Sequence, residues 1–275
     1  MRTSDLVDRY IDAVIARDVA GEYEAQRPAL FAHYHEFWSA RRPYRRDWDV
    51  AELRGKRDLV RSTLERLDGE FARHGLDLAE LEIVLFVGHG TTNGHAYREG
   101  GRFVVWIPVE TYGSARLANV FLTHEILHAL HYTASPGFYF ENREEQSRIG
   151  RMLITEGLAT YLTTVVLDVP EEEALWGGHL PDGQLTGWLA QCERRYGEMC
   201  SFFLANFDNS LREHGLFCLG DTGNVFQSRG GYFAGMRLIR RTAETLAIPP
   251  LELLHQNARS LEDLILKLLA TANAG

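Results

Sequence analysis

Long apolar runs are missing from this 275-residue chain. No stretch approaches the ~18 residues of a membrane-spanning helix, so no membrane partner is expected. A basic excess is missing too. Lys and Arg number 29 against 38 Asp and Glu, a net charge of −9, opposite in sign to that of a general nucleic-acid binder. Cysteine is scarce: Cys192, Cys200 and Cys218 cannot all pair within one chain and form no C-x-x-C. That argues against a disulfide scaffold or a dithiol redox site and for a reducing compartment. The first ten residues are polar and lack an apolar signal core, so a cytoplasmic location is expected. Repeats, low-complexity tracts and linkers are absent as well. The glycine-bearing loops 177–184 and 219–231 do not continue as a Gly-Lys-Ser/Thr phosphate loop.

What is present is ordinary globular material, 45% hydrophobic and 24% charged. A chain of this size buries roughly 73% of its unfolded surface, enough for a large core without staples. The cluster Arg41, Arg42, Arg45 and Arg46, broken by Pro43 and Tyr44 and flanked by Asp47 and Asp49, reads as solvated surface.

Periodicity divides the chain. Leu6, Val7, Tyr10, Ile11, Val14 and Ile15 recur at helical spacing, and further helices are expected over 28–41 and 49–74, with Gly75 as a stop. The texture turns β-rich at Leu81–Gly88 and Arg102–Val109, with a strand and turn from Asn93 through Gly101 between them. Beyond Ser114 the pattern is helical, with helices expected near 115–133, 147–167, 184–206, 229–247 and 260–271, the last capped by Ser260. The expectation is a mostly helical α+β protein. Residues 1–275 form one catalytic domain, in which 1–80 is a helical part, 81–135 a small sheet plus helix, and 136–275 a helical C-terminal lobe.

Residues 124–128 read His-Glu-Ile-Leu-His. In a helix the two histidines lie about 40° apart and about 6 Å along the axis, so both imidazoles can reach one ion. Glu125 is offset beside them, where it can act as general base toward water. The flanks Leu117, Ala118, Val120, Phe121, Leu122, Ile126, Leu127, Ala129 and Leu130 make this helix apolar nearly all round. Buried imidazoles and a carboxylate are costly unless hydrogen-bonded or metallated.

A catalytic zinc site needs a third protein ligand and an open position. From Met152 to Leu167 the only charged residue is Glu156, and a shared Zn2+ would explain it together with the histidines. His131 lies about 10 Å along the axis from His124, too far for three residues of one straight helix to converge, and reads as a supporting residue. Glu141, Glu144 and Glu145 read as solvent-facing. Thr160, one turn beyond Glu156, reads as packing or as a hydrogen-bonding partner of a ligand.

With Glu156-Gly-Leu-Ala159 following 27 residues after His128, the chain resembles the gluzincin metallopeptidases, in which a downstream helix supplies a glutamate as third zinc ligand. It is most similar to the YjaZ-like predicted zinc-dependent proteases, through Leu85–Gly94, the two zinc segments and Gly230–Arg237, a span of about residues 81–240. The resemblance implies a thermolysin-like zincin core with a small mixed sheet, a peptide or protein substrate, and His124, His128 and Glu156 on the metal. It implies a catalytic role for Glu125 as base and for Tyr232 as oxyanion stabiliser, with His214 as the alternative. Asn93–Tyr97 reads either as a sheet-edge strand for an extended peptide or as an ordinary hairpin strand. Phe138-Tyr-Phe140 reads as a hydrophobic loop anchor or a substrate wall. Position 134 is Ala, so the third histidine of the metzincin motif is absent. No Gly-x-Met-x-Asn marks an aminopeptidase. Two other readings stay open: a zinc hydrolase of a non-peptide amide or ester, and a non-catalytic helical binding module with a structural metal or none.

Overall fold

In the computed structural model, which describes residues 1–40, 42–210 and 215–272, the chain divides into two units, Met1–Ala129 and Leu130–Gly275. The first unit opens on a strand, β1 (Arg2–Asp5), that periodicity does not predict. Four polar residues carry no apolar signal. Main-chain pairing decides, with Arg2 N–H donating to Leu81 O at 2.9 Å and Leu6 N–H to Leu85 O at 2.8 Å. The expected first helix follows as α1 (Val7–Tyr10) continued by a π-helical turn, Ile11–Ile15, and it buries Val7, Tyr10, Ile11 and Val14.

Next come α2 (Ala20–Glu24), α3 (Pro28–Phe37) and α4 (Val50–Arg73). Helix α3 is shorter than the expected 28–41, because Trp38 and Ser39 turn back and donate to Tyr34 O. Helix α4 is capped by Asp49, whose carboxylate accepts from Glu52 N–H at 3.0 Å. It buries Leu53, Val60, Leu64, Leu67 and Phe71 on one face, and Gly75 at φ 74° ends it as expected. Arg41 lies outside the described residues. Arg42, Arg45 and Arg46 are exposed, the last pairing with Asp18 at 2.6 Å.

Strands β2 (Glu82–Phe86), β3 (His95–Glu99) and β4 (Arg102–Pro108) complete a four-stranded sheet of order β1-β2-β4-β3. β1, β2 and β4 are parallel, with Glu82 opposite Val104 and Phe86 opposite Pro108. β3 runs antiparallel at the edge, with His95 opposite Trp106 and Glu99 opposite Arg102. The central strands are continuously apolar, as strands buried on both faces require. Gly100 and Gly101, both at positive φ, make the two-residue hairpin turn. Helix α5 (Ala115–Ala134) follows, its start satisfied by Ser114 Oγ accepting from Leu117 N–H at 3.2 Å.

The second unit is helical among its described residues. It contains α6 (Arg143–Gln146), α7 (Ile149–Leu167), α8 (Glu171–Trp176), α9 (Asp182–Arg194), α10 (Tyr196–Asn206), α11 (Gly230–Leu246) and α12 (Ala258–Ala272). The single helix expected over 184–206 is two. Arg195 leaves the helical region at φ −105°, ψ 13°, and its guanidinium bonds Glu198 and stacks 4.5 Å over Phe226. Tertiary contacts, not a breaker residue, make that break. Helix α12 starts earlier than expected because Asn257, rather than Ser260, caps it, with Oδ1 accepting from Arg259 N–H at 3.1 Å and Ser260 N–H at 3.3 Å.

Helix α7 is buried almost all round and meets α11 at two glycines. A Cβ on Gly157 would collide with the main chain of Gly235, and one on Gly235 with Leu153 O. Side chains at these positions would hold the helices apart, so the pair of glycines sets how closely they approach. Glu156 and Tyr232 stand next to that crossing in sequence. No described helix is long and apolar enough to cross a membrane.

Candidate metal centre

Helix α5 carries His124, Glu125 and His128 on a frame of Leu117, Ala118, Phe121, Leu122, Ile126, Leu127 and Ala129, all buried. The polar three are buried as well, and four residues of helix bring the two imidazoles onto one face. Their Nε2 atoms lie 3.0 Å apart, with ring planes nearly perpendicular at 84°. Glu156, half-buried on α7, completes a cluster in which one ligand atom from each of the three residues lies within 4.8 Å of the others.

The donor set fits zinc. Two imidazole nitrogens and a carboxylate oxygen are ligands of a borderline-soft, tetrahedral ion, and Zn–N bonds of about 2.1 Å at tetrahedral angles span nitrogens about 3.3 Å apart. Three protein ligands leave a fourth position open, the pattern of catalytic rather than structural sites. Among the described residues no other group of three or more His, Cys, Asp or Glu converges in this way.

Glu125 is fixed from the sheet side of the same unit. A Cβ on Gly94 would lie 2.9 Å from Glu125 Cγ and 2.8 Å from Ile107 Cδ1, so only glycine lets the chain entering β3 pack this tightly on the glutamate. The loop that ends in Gly94 is strapped down from the segment after β4. Glu110, buried, accepts at Oε1 from Gly88 N–H and Gly90 N–H, both at 3.0 Å. Tyr112 donates its hydroxyl to Asn93 O at 2.5 Å, and Lys56 Nζ donates to the carbonyls of Glu110 and Tyr112 at 3.3 and 3.4 Å. Burial raises the Glu110 carboxyl above its usual range, opposed by its backbone hydrogen bonds. Burial first, then the charges of Glu125 and Glu110, push the Tyr112 phenol well up. Neither residue stands out in the sequence. The only signal was a single carboxylate, Glu110, directly after an apolar strand.

The other expectations sort as follows. His131 is buried outside the cluster, its ring 4.7 Å from that of Phe138. Glu141 and Glu144 are exposed and Glu145 is half-buried, the latter bonding Glu141 N–H and Asn142 at the start of α6. Thr160 is buried, and its Oγ1 makes no hydrogen bond, which leaves packing as its role. Phe138, Tyr139 and Phe140 are all buried, anchoring their loop. Tyr232 is half-buried in the first turn of α11, with the Arg229 guanidinium 3.9 Å over its ring and the Phe217 ring 5.6 Å away. His214 lies outside the described residues. Arg229, which sequence reasoning passed over, is deeply buried beside Tyr232.

The small sheet, the His-Glu-x-x-His helix and the distal glutamate helix match the thermolysin-like zincin architecture. Compared with known proteins, the chain matches no family model, no curated protein and no solved structure. The assignment therefore stands on the site itself. His124, His128 and Glu156 are a tight ligand cluster for a Zn2+ cofactor, and with Glu125 they make a zinc-binding catalytic centre of the zincin hydrolase type.

Proposed function

We propose that the chain is a gluzincin-type zinc metallopeptidase, akin to the YjaZ-like predicted proteases, that hydrolyses peptide bonds in the cytoplasm. The observation that carries this reading is the convergence of His124 Nε2, His128 Nε2 and the Glu156 carboxylate with Glu125 next in sequence to the first ligand. Zinc, when bound, supplies Lewis acidity: it acidifies water and polarises a carbonyl. Glu125 takes the proton of the attacking water at its carboxylate and delivers it to the leaving amine. Tyr232 is proposed to donate its phenol O–H to the oxygen that gains charge as the carbonyl is attacked.

A peptide substrate is favoured over other amides or esters by the edge strand. β3 has β4 as its neighbour in the sheet and begins one residue after Gly94, the glycine packed on Glu125. An extended peptide can pair its main chain to such an edge. Metal analysis of protein purified without added zinc, followed by assay on a peptide library, tests the reading. Stoichiometric zinc and peptide cleavage are expected. Glu125→Gln should retain zinc and lower kcat by about 10²–10⁴-fold. Full activity in that variant would sink the assignment. Cleavage confined to small amides or esters would move the substrate class.

A further inference from the structure

Arg229 occupies a position that a packing residue would not need. It adopts φ 55°, ψ 11° immediately before α11, a left-handed conformation in a residue that bears a Cβ, at a helix start where extended geometry is usual. Asp168 and Ala247 also have positive φ, but at helix C-termini, where that conformation closes the last turn. The Arg229 side chain is only 5% exposed. Its guanidinium stacks on Tyr232 and lies 5.5 Å from the centroid of Trp176. Trp176 meets Trp188 edge-on at 5.2 Å, and the Trp188 indole N–H donates to the carbonyl of Ser228 at 2.8 Å. The aromatic group that clamps the guanidinium is thus tied to the main chain one residue before it.

The surroundings are those of the proposed reaction centre. Burial lowers the Arg229 pKa, while Tyr232 and Glu156 act in the opposite direction. The same cation, after burial, helps to lower the pKa of His179. Filling the space between Tyr232 and Trp176 requires only an apolar side chain, which would avoid desolvating a charge. A rigid, desolvated guanidinium is matched instead to an anion that can accept two parallel N–H bonds.

We propose that Arg229 is a specificity-determining residue that binds a substrate carboxylate beside Glu156, so that the enzyme selects peptides carrying a carboxylate near the scissile bond. The inference rests on the peptidase reading. Two sources offer the same chemistry, a free C-terminus and an Asp or Glu side chain.

Calorimetric titration of zinc-loaded protein with hydroxamate-capped dipeptides separates these sources. One pair ends in leucine as free acid or amide, and the other carries Glu or Gln ahead of a terminal amide. One acid is expected to bind about tenfold or more tightly than its neutral partner, and the pair that discriminates names the source. Arg229→Gln should abolish the preference while leaving zinc content and affinity for the neutral compounds unchanged, and Arg229→Lys should restore part of it. Equal affinities within both pairs in the wild-type protein overturn the proposal, and that comparison needs no variant to fold. An undiminished preference in Arg229→Gln overturns it as well. A wild-type protein that holds no zinc brings down the peptidase reading and this inference together. Zinc retention with tight binding of the neutral hydroxamates and no gain from a carboxylate brings down the inference alone.

Discussion

Helix α5 sets its two imidazoles by covalent helical geometry, one turn apart on a single face, whereas α7 holds Glu156 through close packing on α11 at Gly157 and Gly235. Both helices are apolar nearly all round and both carry buried polar groups. The difference lies in what fixes those groups. On α5 any helix with this five-residue pattern would present the same pair of nitrogens, because the spacing is built into the backbone. On α7 the position of the carboxylate depends on how closely another helix approaches, which two glycines far apart in the chain decide together.

Removing a ligand from either helix should have the largest effect and so should not separate them. Glu156→Ala and His124→Ala are each expected to weaken zinc affinity by about a hundredfold or more, read by competition with a chelator. A Glu156→Ala protein that keeps wild-type affinity would remove α7 from the site. The comparison breaks open at the glycines. Gly157→Ala forces a methyl group into the Gly235 main chain and is expected to cost about 3 kcal/mol of stability in urea unfolding, with weaker zinc binding although no ligand is changed. Gly55→Ala, on the exposed face of α4 with open space around it, should instead stabilise by about 0.5–1 kcal/mol.

The α5 side has its own tertiary control, of smaller effect. Gly94→Ala meets the side-chain atoms of Ile107 and Glu125, which can give way, so a loss of about 1–2 kcal/mol is expected. Because the displaced atom belongs to the general base and not to a ligand, kcat should fall with zinc affinity unchanged. An equal loss of both would show that the loop supports the metal as well. The smallest effect concerns Glu110. Burial raises its folded-state pKa above the unfolded value of 4.5, so its contribution favours the folded state at low pH and is lost as pH rises from 4.5 through the folded pKa. Glu110→Gln keeps an oxygen for Gly88 and Gly90 but does not titrate. Its stability relative to wild type, from urea melts at several pH values, should therefore improve as pH rises above 4.5. A difference independent of pH would show that Glu110 titrates alike in both states.

Legibility followed the range of the interactions. β2 and β4 were readable because burial on both faces leaves an unbroken apolar run, and the His-Glu-x-x-His pattern was readable because its geometry is local. Glu156 could be found as the only charge in an apolar helix. β1 was not readable, since Arg2–Asp5 pairs through its main chain and its polar side chains carry no pattern. The break at Arg195 was hidden for a similar reason, as Glu198 and Phe226 hold its guanidinium and no Gly or Pro marks the spot. The Glu110 and Tyr112 strap and the clamp around Arg229 escaped because each joins residues distant in sequence, and a single Glu, Tyr or Arg announces nothing by itself.

The sequence by itself determined the metal-binding chemistry of this protein, because ligand type and i, i+4 spacing are properties of residues and of the helix backbone. It also determined the mostly helical α+β class through its two periodicities. Only the tertiary structure decided which glycines allow α7 and α11 to touch, which loop presses on Glu125 and which cation lies among the aromatics beside Tyr232. Those outcomes depend on excluded volume and on the burial of charge, which exist only once distant segments have been brought into contact.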